Sequence, residues 1–177
     1  MTFEPTTITD LWAIRLERQT DERGSFARLF DRAAFAAHGL ATAFVQESVS
    51  VTRAAGTLRG LHFQRTPHGE AKFIRCVRGA IQDVIADLRP ASPSFLRWQA
   101  FRLSPDDDLC LYVPPGCAHG FQTLADDSEV LYHMDAPYRA EAADGVRFDD
   151  PALGIAWPLP VSVIAAKDLA WPSLTSR

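Results

Sequence analysis

Turn-forming residues interrupt this chain so often that they leave room for little beyond short strands. Turns are expected at Asp21-Glu22-Arg23-Gly24, Ala55-Gly56, Pro67-His68-Gly69, Arg89-Pro90, Ser104-Pro105-Asp106 and Pro114-Pro115-Gly116. Between them stand the runs Phe73 to Val77, Ile81 to Leu88, Leu109 to Val113 and Glu129 to Met134. Runs of this length and spacing predict the strands of an all-β sandwich or barrel. Ile81 to Asp87 alternates apolar and polar residues only in part, as a strand covered on both faces does. Helical signals are few. Asp31 to His38 is Ala-rich behind a capping Asp and predicts one short helix. A second is expected over Asp149 to Leu153, with Pro151 in its first turn. The rest reads as strand and loop.

The 177 residues fit a single domain, 1–177, with no repeat or Gly/Ser linker. A formal net charge of −4 gives no basic excess for nucleic acid. An acidic chain can still hold a diphosphate, through a local cluster of Arg, Lys and backbone N–H groups. Cys76, Cys110 and Cys117 form no CxxC pair, so neither a zinc site nor a redox motif is signalled. They are expected as reduced, buried thiols. The opening MTFEPTTITD lacks a basic segment followed by an apolar run. No apolar stretch approaches the length of a membrane span. A soluble, cytoplasmic protein engaging neither membrane nor nucleic acid is expected.

Four clusters carry groups capable of chemistry. In Thr57-Leu58-Arg59-Gly60-Leu61-His62-Phe63-Gln64, strand alternation places Arg59 and Leu61 on one face and Gly60, His62 and Gln64 on the other. An inward His can carry a proton near neutrality, although alone it reads more simply as a satisfied core residue. Val113-Pro114-Pro115-Gly116-Cys117-Ala118-His119-Gly120-Phe121 matches the P-x-G-x-x-H element of cupins, in which a tight turn delivers a His to a barrel mouth. The H-x-H pair that usually supplies two cupin metal ligands is broken, because Gln64 stands two residues after His62. His62, Glu70 and His119 remain as a possible two-His-one-carboxylate set, but no metal or other cofactor is expected. Tyr132, in Val130-Leu131-Tyr132-His133-Met134, could donate a proton or be a plain core aromatic. Asp168 could fold back to orient a His, or could simply sit in a loop or cap a helix.

Together these pieces resemble the dTDP-4-dehydrorhamnose 3,5-epimerase family, in order and over almost the whole chain. The match runs through Asp21-Glu22-Arg23-Gly24-Ser25-Phe26, Gln46-Glu47-Ser48, Leu58 to Gln64, Lys72, Gly79 to Arg89, Pro115 to Phe121, Tyr132, Tyr138, Asp150 to Pro158 and Lys167-Asp168. The resemblance implies an all-β cupin jelly-roll barrel with a few short helices. It also implies a metal-free homodimer whose N-terminal segment reaches toward the partner, so that Arg23 and Phe26 complete the neighbour's pocket. The implied substrate is a nucleotide-diphospho-sugar bearing a 4-ketone, epimerised at C3, C5 or both. By resemblance His62 is the base, oriented by Asp168, Tyr132 the acid and Lys72 the enolate-stabilising cation. Arg59 and His119 hold substrate, Asp83 supports the His and Lys network, and Gln46 and Tyr138 line the nucleotide or sugar wall. The chain departs from the family at Arg28 (commonly Glu), Ser48 (commonly Asn), Glu70 (commonly Gln) and Ala165 (commonly Ser). These departures leave a GDP- or CDP-linked ketosugar, acted on at a single carbon, as an alternative substrate. A metal-dependent cupin enzyme and a non-catalytic sugar-nucleotide-binding cupin are the alternatives of another class.

Overall fold

The strands expected from the turn spacing form to within a residue at each end in a computed structural model, which describes residues 1–176. In chain order they are β1 (Thr2–Pro5), β2 (Trp12–Arg15), β3 (Gln19–Asp21), β4 (Gly24–Phe26), β5 (Gln46–Thr52), β6 (Thr57–Gln64) and β7 (Lys72–Arg78). These are followed by β8 (Ile81–Asp87), β9 (Trp98–Leu103), β10 (Leu109–Val113), β11 (Cys117–Thr123), β12 (Ser128–Met134), β13 (Ala143–Gly145) and β14 (Val163–Ile164). One sheet runs β1-β2-β10-β7-β12-β5; the facing sheet runs β13-β6-β11-β8-β9, with β14 added parallel to β6. Strands adjacent in space but distant in sequence, such as β10 beside β2 and β11 beside β6, give the expected jelly-roll cupin.

The two sheets close on a core that includes Ile74, Cys76, Ile81, Ile85, Leu111, Val113, Phe121 and Val130. Their outer faces are covered too, which explains the incomplete alternation in β8. Behind β6, β8 and β11 lies a layer of Leu61, Val84, Ala86, Ala118, Val146 and Leu153. Behind β7 and β10 lies an aromatic layer of Phe35, Phe73 and Tyr112, flanked by Phe3, Phe30 and Phe44. Phe35 is the buried residue of the expected helix, α1 (Arg32–Ala37), whose cap Asp31 accepts from the Ala33 and Ala34 N–H groups. A helix this short is unstable alone. Burial of Phe35, at roughly 1.5–3 kcal/mol, does more to hold it than propensity does. All three cysteines are free and buried, and burial pushes the Cys117 thiol up to about 12. Among the described residues no helix is long and apolar enough to cross a membrane.

Two expectations about elements are corrected. Asp149 to Leu153 forms turns rather than a helix: Asp150 accepts from Ala152 through its side chain, and its carbonyl accepts from Leu153 and Gly154. Gly154, at φ +60°, then turns the backbone away after one revolution. A helix does form where none was expected, α2 (Ala166–Leu169). Its cap position is Ala165, which has no side-chain acceptor, so the usual N-terminal signature is missing.

Candidate active site

A cavity of about 650 Å³ opens between the two sheets, lined by residues of both. From β6 come Arg59, His62 and Gln64 together, which simple alternation forbids. The cause is a bulge. Against β11, His62 pairs with His119 and Arg59 with Phe121, so Gly60 and Leu61 together oppose the single Gly120. The extra residue reverses the parity of the strand. Leu61, expected beside Arg59, turns instead into the outer layer. The bulge requires glycine on both strands. Gly60 sits at φ +114°, and a Cβ there would lie 2.5 Å from the Gly120 Cα; one at Gly120 would lie 2.7 Å from the Arg59 carbonyl.

The bulge also explains how Asp168 reaches His62 across 106 residues of chain. β14 pairs with Thr57 and Leu58 of β6 and delivers α2 to the bulge. There one Asp168 oxygen meets His62 Nε2 at 2.7 Å, and the other accepts the Gly60 N–H at 3.2 Å. Burial pushes the Asp168 carboxyl up, but the bond and charge of His62 and the Gly60 N–H together hold it below its ordinary value. An Nε2 proton donated to Asp168 leaves Nδ1 as the ring nitrogen able to take up a proton.

His119, on β11, repeats the arrangement: its Nε2 is 2.5 Å from Asp83 on β8, and both residues are buried. The second Asp83 oxygen is buried without a hydrogen-bond partner among the described residues. From the facing sheet come Tyr132, edge-on to His119 with ring centroids 5.8 Å apart, and Lys72. Burial holds the Tyr132 phenol well above its ordinary value, so it stays protonated. Burial pulls Lys72 down, and Glu70 and Asp83 oppose that. Lys72 and Lys167 are the chain's two lysines, and both line the cavity.

Gln46 and Tyr138 stand on the cavity wall, tied to each other by the Tyr138 N–H to Gln46 Oε1 bond of 2.6 Å. Arg23 and Phe26 do not reach this cavity; they lie on the β3–β4 hairpin, with Phe26 66% exposed. Arg28 also lies outside, paired with Asp31 at 2.9 Å, whereas Ser48 and Ala165 line the wall. Gln64 is a cross-tie: it donates to the His68 carbonyl and Glu70 and accepts the Arg139 N–H. Among the described residues no three His, Cys, Asp or Glu side chains are grouped to hold a metal ion. His62 and His119 each bind a separate carboxylate, and Glu70 faces Lys72. One wall residue had no signal in the sequence. Trp171 packs over Gly145, where a Cβ would lie 2.3 Å from the ring, and stands edge-on to His62. Only the absent side chain at Gly145 marks its place.

The dTDP-4-dehydrorhamnose 3,5-epimerase family model matches residues 5–176 of the chain. A protein of that name from Sinorhizobium fredii is 40% identical over 175 residues, 98% of this chain and 90% of the relative. Another, from Methanothermobacter thermautotrophicus, is 40% identical over 97% of this chain and 94% of its own length. The crystal structure of the Bacillus anthracis protein of that name, with TDP and PPi bound, is 39% identical. It superposes with a TM-score of 0.94 over 98% of this chain and 99% of that one.

Proposed function

The chain belongs to the dTDP-4-dehydrorhamnose 3,5-epimerase family, a family of isomerases, and from that premise we propose that it epimerises C3 and C5 of dTDP-4-dehydro-6-deoxyglucose to give dTDP-4-dehydrorhamnose. The ketone at C4 acidifies the hydrogens on both neighbouring carbons. His62 Nδ1 removes one as a proton, Asp168 stabilises the resulting imidazolium, and the electron pair moves onto O4. Lys72 neutralises that oxygen, a contribution of about 3–4 kcal/mol for one preorganised donor. Tyr132 then protonates the carbon from the other face, and solvent restores both groups. Arg59 and His119 hold the diphosphate and sugar, Asp83 fixes His119, and Gln46 and Tyr138 line the wall.

The observation that carries this reading is that His62 and Tyr132 line one cavity from facing sheets. Inversion needs a base and an acid on opposite faces of the ring. Thymidine is favoured because relatives bear that activity in their names and one holds TDP; Ser48 on the wall is the position where a different base would be accommodated. The test is incubation with the dTDP-, GDP- and CDP-linked 4-keto-6-deoxy sugars in deuterated water. Two deuterons incorporated from the dTDP sugar support the reading, and one alone makes the protein a mono-epimerase. His62→Ala should lower exchange by roughly a hundredfold or more with the fold unchanged by circular dichroism. No exchange with any nucleotide sinks the epimerase reading.

The whole chain, 1–177, serves as one such unit, and two copies pair. β5 is an edge strand whose Val49 and Val51 are 59% and 55% exposed, a surface that association would cover. The protruding β3–β4 hairpin then carries Arg23 and Phe26 toward the partner's cavity.

A further inference from the structure

Glu70 lies two residues before the start of β7 and turns its carboxylate onto Lys72, Oε1 to Nζ 3.3 Å. Both side chains are nearly buried, 10% and 12% exposed. The other Glu70 oxygen accepts from Gln64 Nε2 at 2.8 Å, and Gln64 is itself fixed by the His68 carbonyl and the Arg139 N–H. The carboxylate is therefore held in place before any substrate arrives. Lys72 Nζ also donates to the His62 carbonyl at 3.2 Å, so the same cation is anchored to the strand that carries His62.

We propose that Glu70 is a positioning residue for the reaction, keeping Lys72 an ammonium and fixing where its charge points. A buried amine sheds its proton unless a counter-ion opposes the loss. The groups facing Lys72 are Glu70, His62 on β6, Asp83 on β8 and Tyr132 on β12. Burial is the largest influence and pulls Lys72 down; Glu70 is the next, ahead of Asp83, and pushes it back up. A neutral lysine cannot compensate the charge on O4, so the carboxylate sets how far into alkaline conditions the site works. The role of Lys72 at O4 rests on the reading above, but the pairing of Glu70 with Lys72 does not.

Glu70→Gln keeps the shape and removes the charge. The sign follows: with its counter-ion gone, Lys72 releases its proton at lower pH. The alkaline limb of the kcat/KM profile for solvent exchange should move down by about one pH unit or more. Glu70→Asp keeps the charge at longer range and should move the limb less. The same titration can be followed without substrate. Protein carrying 13C-lysine shows Lys72 and Lys167 alone, and Lys72→Met assigns them. The Lys72 midpoint should fall in Glu70→Gln while that of Lys167 stays. An unmoved Lys72 midpoint, or an equal shift in Glu70→Asp, overturns the proposal. A protein with no exchange activity but a shifted midpoint sinks the epimerase reading and leaves the Glu70 assignment standing.

Discussion

Three basic groups around the cavity each meet an acid: His62 meets Asp168, His119 meets Asp83 and Lys72 meets Glu70. Removing one member of a buried pair leaves the other's charge uncompensated, so each acid is coupled to the working state of its base. Tyr132, by contrast, is a neutral acid, held protonated by burial and, next, by the charge of Asp83. That asymmetry gives a test of the proposed roles. Abstraction by His62 does not need the phenol, whereas delivery from the opposite face does. In Tyr132→Phe, proton loss read as solvent exchange should therefore survive better than inversion read by product stereochemistry, by roughly tenfold or more. Equal losses would remove Tyr132 from the acid's role.

At the level of elements, the bulge in β6 decides the site. It brings Arg59 and His62 to the same cavity, frees the Gly60 N–H and offers it to Asp168. Gly60→Ala combines a positive φ with a 2.5 Å approach to the Gly120 backbone. It should cost about 3 kcal/mol or more of stability in urea unfolding and displace His62 from Asp168. A midpoint within a few tenths molar of wild type would mean that the bulge is not rigid. The same feature marks what was legible in the sequence. Turn chemistry located the strands because Gly, Pro and Asp act locally. His62 and Tyr132 stood out by residue type and Lys72 through the family resemblance, and all three line the cavity. Alternation misplaced Arg59 because a bulge changes parity without changing composition; the glycines at 60 and 120 mark it only once the strands are paired. The helix carrying Asp168 was invisible because it forms through docking on β6 and lacks a capping side chain.

At the level of the whole molecule, the outer layers divide the surface into covered and uncovered parts. The aromatic layer behind β7 and β10 is sealed by α1, but β5 ends its sheet with Val49 and Val51 in water. The proposed pairing of two copies accounts for that strip. A Val49→Asp, Val51→Asp double variant should sediment as a monomer while wild type sediments as a dimer, and a wild-type monomer at micromolar concentration would end the idea. The distribution of lysine has a practical consequence as well. Both lysines of the chain, Lys72 and Lys167, line the cavity, so no lysine lies elsewhere on the surface. Apart from the α-amino group, an amine-directed dye, crosslinker or resin finds its targets only at the mouth and floor of the cavity. Reagents that decorate the outside of most proteins become, on this one, reporters of whether the cavity is occupied.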